Sequence, residues 1–208
     1  MDNQTINPVK NVILNGIGDP LQVDAIINES KPPEVEASSI MLINPRYPHN
    51  VGGALRACGC WGFKQLWWTG DRVTLDYAKG ERLPREERMK GYKHVQMYHE
   101  GDAFKRIPRH VTPICVELLA TSEPLETFEH PEDAVYIFGP EDGNVPIEVR
   151  RYCHRFIFIP THFCLNLASA VSVVLYDRFL KRIWEGKEVS VSITERLKEH
   201  RGPVISNS

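Results

Sequence analysis

From residue 40 onward, short apolar runs alternate with segments of helical period, and no other feature of the chain restricts its fold as much. The runs are rich in β-branched and aromatic residues and contain four to six residues each. Such runs are typical of parallel strands that are buried on both faces of a sheet. The predicted strands are residues 40–43, 66–69, 95–98, 114–119, 134–138 and 156–159. We therefore predict an α/β fold in which helices cover both faces of a mainly parallel sheet.

The predicted helices show as apolar residues spaced three and four apart. The clearest one follows the last predicted strand, where Leu167, Val171 and Val174 recur at helical spacing. Another is expected over about residues 51–61, and a short one after Pro146. Small side chains fill the first turns of the last helix, so another backbone or a flat ligand can approach it closely. These small residues are Ala168, Ser169, Ala170 and Ser172.

Composition divides the chain into three parts. Residues 1–39 are rich in Asn, Pro and acidic side chains, and we interpret them as an amino-terminal extension too short for a separate domain. Residues 40–185 form the predicted domain, and residues 186–208 form a carboxyl-terminal helix and tail. Ser192 to Glu195 has the form of a capping box, which predicts where that last helix begins.

Charge and cysteine content exclude several classes of protein. The chain has 208 residues and a net charge of −2, so any contact with a polyanion must be local rather than general. No run of about 18 apolar residues is present, and the polar start lacks the pattern of a secretory signal. We therefore expect a cytoplasmic protein that enters no membrane. The five cysteines lack the spacing of a disulfide framework or a zinc site, so no metal is expected.

The strongest local concentration of basic residues lies between Lys79 and Lys93, with Tyr77 and Tyr92 at its flanks. Basic side chains beside aromatic rings suit a phosphate backbone with unstacked bases. A solvated loop or helix face explains the same composition equally well. The candidates for a substrate contact in this segment are Arg82, Arg85 and Arg88.

Polar side chains border three of the predicted strands. Asn50 and Arg56 follow the first strand, Glu141 follows the fifth, and Asn166 follows the sixth. Ligand sites in open α/β sheets form where loops leave the carboxyl ends of strands, so we expect these four residues to converge. Glu141 is expected to accept a hydrogen bond from Asn50 or Arg56. On local sequence alone, Asn50 and Asn166 are also interpreted as the caps of the helices that follow them.

Three motifs in this order resemble those of the SPOUT RNA methyltransferases, specifically the SpoU/TrmH branch of ribose 2′-O-methyltransferases. They are Asn50-x-Gly52-x-x-x-Arg56, Gly139-Pro140-Glu141-Asp142-Gly143 after an apolar strand, and Cys164-Leu165-Asn166 after Ile159-Pro160. The resemblance implies a SPOUT-like domain with a trefoil knot at its carboxyl end. It also implies S-adenosyl-L-methionine (AdoMet) bound in the knot, a tRNA or rRNA substrate, and a homodimer.

The resemblance also implies a role for individual residues. Arg56 would grip the phosphate beside the target ribose and stabilise the alkoxide that forms, with Asn50, Glu141 and Asn166 completing the catalytic group. The residues implied to bind AdoMet are Leu118, Gly139, Ile159 and Leu165. Arg46 and Cys164 are further candidates for contact with the substrate. A surface arginine on a helix is the alternative for Arg56, and the three ordered motifs count against it.

Two positions depart from the family's pattern. Asn144 replaces the last glycine of the second motif, and we expect the turn to be kept because asparagine is the residue that best tolerates the left-handed conformation after glycine. Cys164 replaces the usual serine, which exchanges a good hydroxyl donor for a weak thiol donor. These changes leave open a catalytically weak descendant that binds RNA as an assembly factor. An active methyltransferase is favoured by the retention of all four polar residues: Asn50, Arg56, Glu141 and Asn166.

Overall fold

The computed structural model describes residues 10–12, 33–73, 95–192 and 194–195. The strands in this part of the chain are β1 (Lys10–Val12), β2 (Ser39–Leu42), β3 (Gln65–Trp68), β4 (Gln96–His99), β5 (Thr112–Val116), β6 (Glu123–Pro124), β7 (Ala134–Phe138) and β8 (Arg155–Phe158). The α-helices are α1 (Pro48–Cys60), α2 (Ile147–Arg150) and α3 (Leu167–Trp184). Two short 3₁₀ helices are formed by Ala103–Arg106 and Leu125–Thr127.

The eight strands form one sheet in the order β1-β4-β3-β2-β7-β5-β8-β6. Only β1 runs antiparallel to its neighbour, β4, and every other pair is parallel. The predicted α/β fold with a mainly parallel sheet is therefore confirmed. All six predicted strands are present, with ends shifted by at most three residues.

Side chains that alternate along the central strands build two separate cores. Ile40 and Leu42 of β2 face a core that includes apolar residues of α1 and α3. Met41, between them, faces a second core on the opposite side of the sheet. That second core includes Val149 of α2 and Ala103 of the first 3₁₀ helix. Helices therefore cover both faces, as the apolar runs predicted.

The helices α1 and α3 pack closely where both carry small residues. A Cβ atom added to Gly53 would lie only 2.7 Å from the Cβ atom of Ala168, so a larger residue at position 53 would push the helices apart. This confirms that the small residues of the last helix admit another backbone. The close packing brings the amino-terminal parts of α1 and α3 together, where Asn50 and Asn166 lie.

Parts of the two terminal segments can be placed. β1 belongs to the predicted extension and forms an edge of the sheet beside β4, while Val35 is completely buried in a core. The capping box forms in both directions: Ser192 N donates to the Glu195 carboxylate over 2.9 Å, and Glu195 N donates to Ser192 Oγ over 3.2 Å.

Among the described residues, no helix is long and apolar enough to cross a membrane. Arg82, Arg85 and Arg88 lie outside the described residues.

Candidate active site

A chain of side-chain hydrogen bonds joins three of the residues that the sequence analysis expected to converge. Asn166 Nδ2 donates to Asn50 Oδ1 over 2.9 Å, and Asn50 Nδ2 donates to Glu141 Oε1 over 2.5 Å. Asn50 is buried, which makes its two hydrogen bonds strong constraints on the neighbouring loops. We call these three residues the polar chain. It connects α1, the loop after β7 and the residue directly before α3. The predicted hydrogen bond from Asn50 to Glu141 is confirmed.

The interpretation of Asn50 as a helix cap is wrong. The helix α1 begins at Pro48, with Tyr47 at the N-cap position, so Asn50 already lies in the first turn. Proline is pre-organised for the first helical position. Because Pro48 occupies that position, the helix begins two residues before Asn50. The Asn50 side chain is therefore available to bridge Glu141 and Asn166.

Asn166 caps α3, as the sequence analysis predicted, and its side chain also reaches α1. Its Oδ1 atom accepts from Ala168 N over 2.9 Å and from Ser169 N over 3.3 Å, which caps α3. Its Nδ2 atom is directed to Asn50. The cap fixes the rotation of the amide group, so the start of α3 determines how Asn166 meets α1.

The loop after β7 is held on its other side by two arginines. The second oxygen of Glu141 accepts from the backbone N of Arg46 over 2.7 Å. Arg72 Nη1 lies 2.9 Å from both oxygens of Asp142, while Arg46 Nη1 lies 3.3 Å from one of them. Arg72 Nε also donates to the carbonyl of Asn44 over 3.1 Å. Arg72 thus fastens the loops after β2, β3 and β7 to one another, and its guanidinium lowers the pKa of Asp142.

The sequence analysis missed Arg72 and Glu117. Arg72 follows β3, so the rule that placed Asn50 and Glu141 at the carboxyl edge applies to it as well. Glu117 follows β5 in the same way, and its carboxylate accepts from Val145 N over 2.8 Å and from Leu118 N over 3.1 Å. Glu117 therefore holds the loop after β7 against the end of β5. No sequence motif marked either residue.

Arg56 lies on the exposed side of α1. It follows Asn50 by six residues, which corresponds to about 9 Å along the helix axis. A long, flexible side chain at this position projects into solvent rather than into the core between α1 and the sheet. The location suits a group that contacts a substrate arriving from outside.

Three of the residues implied to bind AdoMet lie at the ends of neighbouring strands. Leu118, Gly139 and Ile159 follow β5, β7 and β8, which are adjacent in the sheet and parallel. Leu118 is 76% exposed and Leu165 is 39% exposed, so apolar side chains lie uncovered at this edge. Apolar walls beside backbone amides are what an adenosyl group requires. The residues present therefore fit AdoMet.

Glycine at position 139 has a structural reason within the chain itself. A Cβ atom there would lie 3.1 Å from Val145 Cγ2 and 3.2 Å from Val145 N, so the close approach is made by the chain's own loop. Glycine at this position lets the loop fold back over the end of β7.

The two departures from the family's pattern have different structural settings. Ser38 and Asn44 are the only residues other than glycine with a positive φ in the described ranges, so Asn144 does not adopt the left-handed conformation. The turn accommodates Asn144 without strain because its backbone needs no glycine conformation. Cys164 is exposed beside the polar chain residue Asn166. Across the described part of the chain, no three His, Cys, Asp or Glu side chains are grouped so that they could hold a metal ion.

The chain is similar in sequence or in structure to known RNA-modifying enzymes. The tRNA (cytidine-2′-O-)-methyltransferase TrmJ of Methanocaldococcus jannaschii is 27% identical over 188 residues, which cover 80% of this chain and 77% of the relative. The TrmH/SpoU tRNA modifying enzyme of A. aeolicus has a similar structure, with a TM-score of 0.61, 19% identity and coverage of 80% of this chain and 87% of that one.

A third protein was solved with the cofactor. The AdoMet-bound rRNA methyltransferase of Sinorhizobium meliloti has a TM-score of 0.57 and 22% identity, over 72% of this chain. The matched part spans 57% of the length of that enzyme. The sequence profile of the SpoU rRNA methylase family matches residues 37–176, which is well over half of the chain. The chain belongs to the SpoU rRNA methylase family.

Proposed function

We propose that this protein transfers a methyl group from AdoMet to a ribose 2′-hydroxyl of tRNA or rRNA. The observation that carries the proposal is the polar chain Asn166, Asn50 and Glu141, which lies at the same edge of the sheet as the uncovered apolar strand ends. A site for an adenosyl cofactor and a site for a polar substrate are therefore adjacent. Membership of a family of RNA methylases supports this pairing.

AdoMet would be held by Leu118, Gly139, Ile159 and Leu165. The exposed leucines provide apolar walls, while the loops at Gly139 and Ile159 bring backbone amides to the same edge. When bound, AdoMet supplies a methyl group on a positively charged sulfonium. Glu117 fixes the loop that closes on this pocket, through its hydrogen bond to Val145 N.

The RNA would be held from the exposed side of α1. We assign Arg56 to the phosphate beside the target ribose. We also assign it to the negative charge that develops on the ribose oxygen as its proton passes to solvent water. Arginine side chains stay protonated in proteins, so charge stabilisation is a more suitable task for Arg56 than proton abstraction. The polar chain keeps α1 and the loop after β7 in fixed relation during the transfer. Arg46 and Cys164 are proposed to contact the substrate, together with Arg82, Arg85 and Arg88.

We also propose a homodimer, a trefoil knot, an activity that needs no metal, and a cytoplasmic location. The family implies the first two. The exposed side of α3 supports the homodimer, because Val173, Tyr176 and Trp184 are apolar and uncovered there. Tyr176 packs against Trp61 at 5.1 Å between ring centroids, so the residue that follows α1 extends this apolar surface. Large uncovered apolar surfaces of this kind mark sites of association.

Binding and transfer can be tested with the purified protein. Calorimetry should detect AdoMet, and labelled methyl should pass from AdoMet to unfractionated tRNA or to rRNA, each without added metal. The result should be the same when a chelator is present. Failure to bind AdoMet or S-adenosylhomocysteine at millimolar concentration, in folded protein, would contradict the proposal.

A further inference from the structure

Three exposed side chains form a stack at the beginning of α1. The rings of Tyr47 and His49 are stacked, with centroids 5.2 Å apart and an angle of 19° between their planes. The guanidinium carbon of Arg46 lies 5.3 Å from the centroid of the Tyr47 ring. All three residues are exposed. We call Arg46, Tyr47 and His49 the ring stack.

The requirements of a helix N-cap do not explain why a tyrosine occupies position 47. Tyr47 occupies the N-cap position of α1, and its side chain makes no cap hydrogen bond. Ser, Thr, Asp and Asn are preferred there because their oxygens accept hydrogen bonds from the free amides of the first turn. No acidic residue in the first turn compensates for the missing cap. A residue that breaks a local rule without local gain is typical of a functional position.

The ring stack adjoins the polar chain. Asn50 follows His49 directly, and the backbone N of Arg46 donates to Glu141. In the sheet, β7 separates β2, which leads into the ring stack, from β5 and β8, which lead to the AdoMet residues Leu118 and Ile159. The ring stack therefore borders the substrate side of the site rather than the cofactor side.

The chemistry of the ring stack fits one class of ligand. Aromatic rings and guanidinium planes are the groups on which unpaired RNA bases stack, and a guanidinium also attracts the adjacent phosphate. A ribose presented to the polar chain carries a base and has neighbouring nucleotides, and these would lie next to the ring stack. We propose that the ring stack is a platform for an unstacked nucleobase of the RNA substrate. This inference depends on the proposed function, in that RNA is the substrate.

The test compares three variants with the parent protein. Tyr47→Ser removes the ring and supplies a better cap, so folding should be kept or improved while the platform is lost. Tyr47→Phe keeps the ring. Tyr152→Ser is the matched control, because Tyr152 is 43% exposed and Tyr47 is 42% exposed. Tyr152 makes a ring contact with Phe104, at 5.1 Å, on the opposite face of the sheet from α1.

The probe is unfractionated tRNA. Filter binding gives its Kd, methyl incorporation gives KM and kcat, calorimetry gives the Kd of AdoMet, and thermal melting gives Tm. We expect Tyr47→Ser to raise the Kd and KM for tRNA about 5- to 150-fold, the range for loss of one base stack. The Kd of AdoMet should be unchanged and Tm should not fall. Tyr47→Phe and Tyr152→Ser should behave like the parent.

A Kd and a KM for tRNA in Tyr47→Ser within twofold of the parent would overturn the platform. If the parent protein binds tRNA but does not methylate it, the proposal of tRNA methylation is contradicted. The comparison of Kd values between parent and Tyr47→Ser still decides whether the ring stack holds a base. A parent that binds neither tRNA nor, in the same filter assay, rRNA overturns both the platform and the proposed function. A fall in Tm together with the loss of binding would assign Tyr47 a structural role instead.

Discussion

At the scale of single residues, the amide of Asn50 is the central feature of the site. Its oxygen accepts from Asn166 and its nitrogen donates to Glu141, so a single buried side chain couples two loops to a helix. A side chain at this position must be both a donor and an acceptor to satisfy Asn166 and Glu141. This requirement explains why asparagine stands at a position where it does not cap the helix.

Replacing that amide by a carboxylate tests the coupling. Asn50→Asp would place a second carboxylate against Glu141 and leave a buried group without its partner, which costs about 1–3 kcal/mol of unfolding free energy. Methyl transfer should fall along with stability, because α1 and the loop after β7 lose their fixed relation. Urea unfolding measures the first effect. The control is Asn144→Asp. Asn144 is an exposed asparagine in the loop after β7, so its replacement should change stability by no more than about 0.5 kcal/mol. Equal stability of Asn50→Asp and parent would contradict the account.

At the scale of elements, the loops at the carboxyl edge are fixed by contacts between distant parts of the chain. Arg72 and Asp142 are separated by 70 positions, and Asn50 and Asn166 by 116. Spacing along the chain predicts which side chains reach the same edge of a sheet. It does not predict which of them pair, because pairing depends on loop conformations that tertiary contacts determine.

The Arg72 contact can be tested against a closely matched one. The Arg72 and Asp142 side chains are 30% and 42% exposed, and the Arg155 and Glu123 side chains, which form the same kind of pair at the amino end of β8, are 32% and 43% exposed. Both arginine-to-alanine variants should lose at most about 1 kcal/mol of stability. Only Arg72→Ala should lower kcat for methyl transfer, on the order of 10- to 100-fold, because it loosens the loop that carries Glu141. Equal kcat values in the two variants would show that Arg72 does not position the site.

The element β7 is also linked to α3 through a buried histidine. The ring nitrogens of His130 lie 2.6 Å from the Tyr136 hydroxyl and 2.7 Å from Asp177 Oδ2. Burial lowers the pKa of His130 to about 4, although the hydrogen bond and charge of Asp177 act to raise it; Lys181 and Arg178 nearby lower it further. The unfolded chain therefore binds this proton more readily than the folded one. The stability that His130 contributes is present above pH of about 6.5 and is lost as the pH falls toward 4.

Unfolding in denaturant at several pH values measures this effect. Between pH 7 and pH 4, the parent should lose up to about 3 kcal/mol through His130, in addition to losses from carboxylates. His130→Gln should be less stable at pH 7 but show a smaller loss on acidification. The exposed His110 provides the control, since His110→Gln should follow the parent. The same dependence on pH in His130→Gln and parent would rule out the histidine as its source.

Some elements of the fold could be predicted from the sequence and others could not. The central strands were predictable because strands buried on both faces are continuous apolar runs, as in Ala134–Phe138. β6 was not, since it consists of two half-buried residues, Glu123 and Pro124, whose pairing with β8 leaves no periodicity. The start of α1 was misplaced because the preference of asparagine for caps was weighed above that of Pro48 for the first helical position.

At the scale of the whole molecule, the uncovered face of α3 leads to a prediction about assembly. Val173→Glu places a charge on this face, and a homodimer that uses it should dissociate, which sedimentation equilibrium measures. Val189→Glu is the control, because Val189 is also exposed but lies beyond the end of α3. A monomeric parent, or a Val173→Glu variant that associates as tightly as the parent, would contradict the proposed interface.

The central claim is that the polar chain and Arg56 direct a methyl group to a ribose oxygen of RNA. The most direct measurement is mass spectrometry of nucleosides from tRNA and rRNA incubated with the protein and deuterated AdoMet. We expect the label in 2′-O-methylated nucleosides, with a yield on the order of 100-fold lower for Arg56→Ala at unchanged AdoMet affinity. Label on a base, no label in either RNA, or full activity in Arg56→Ala would contradict the account.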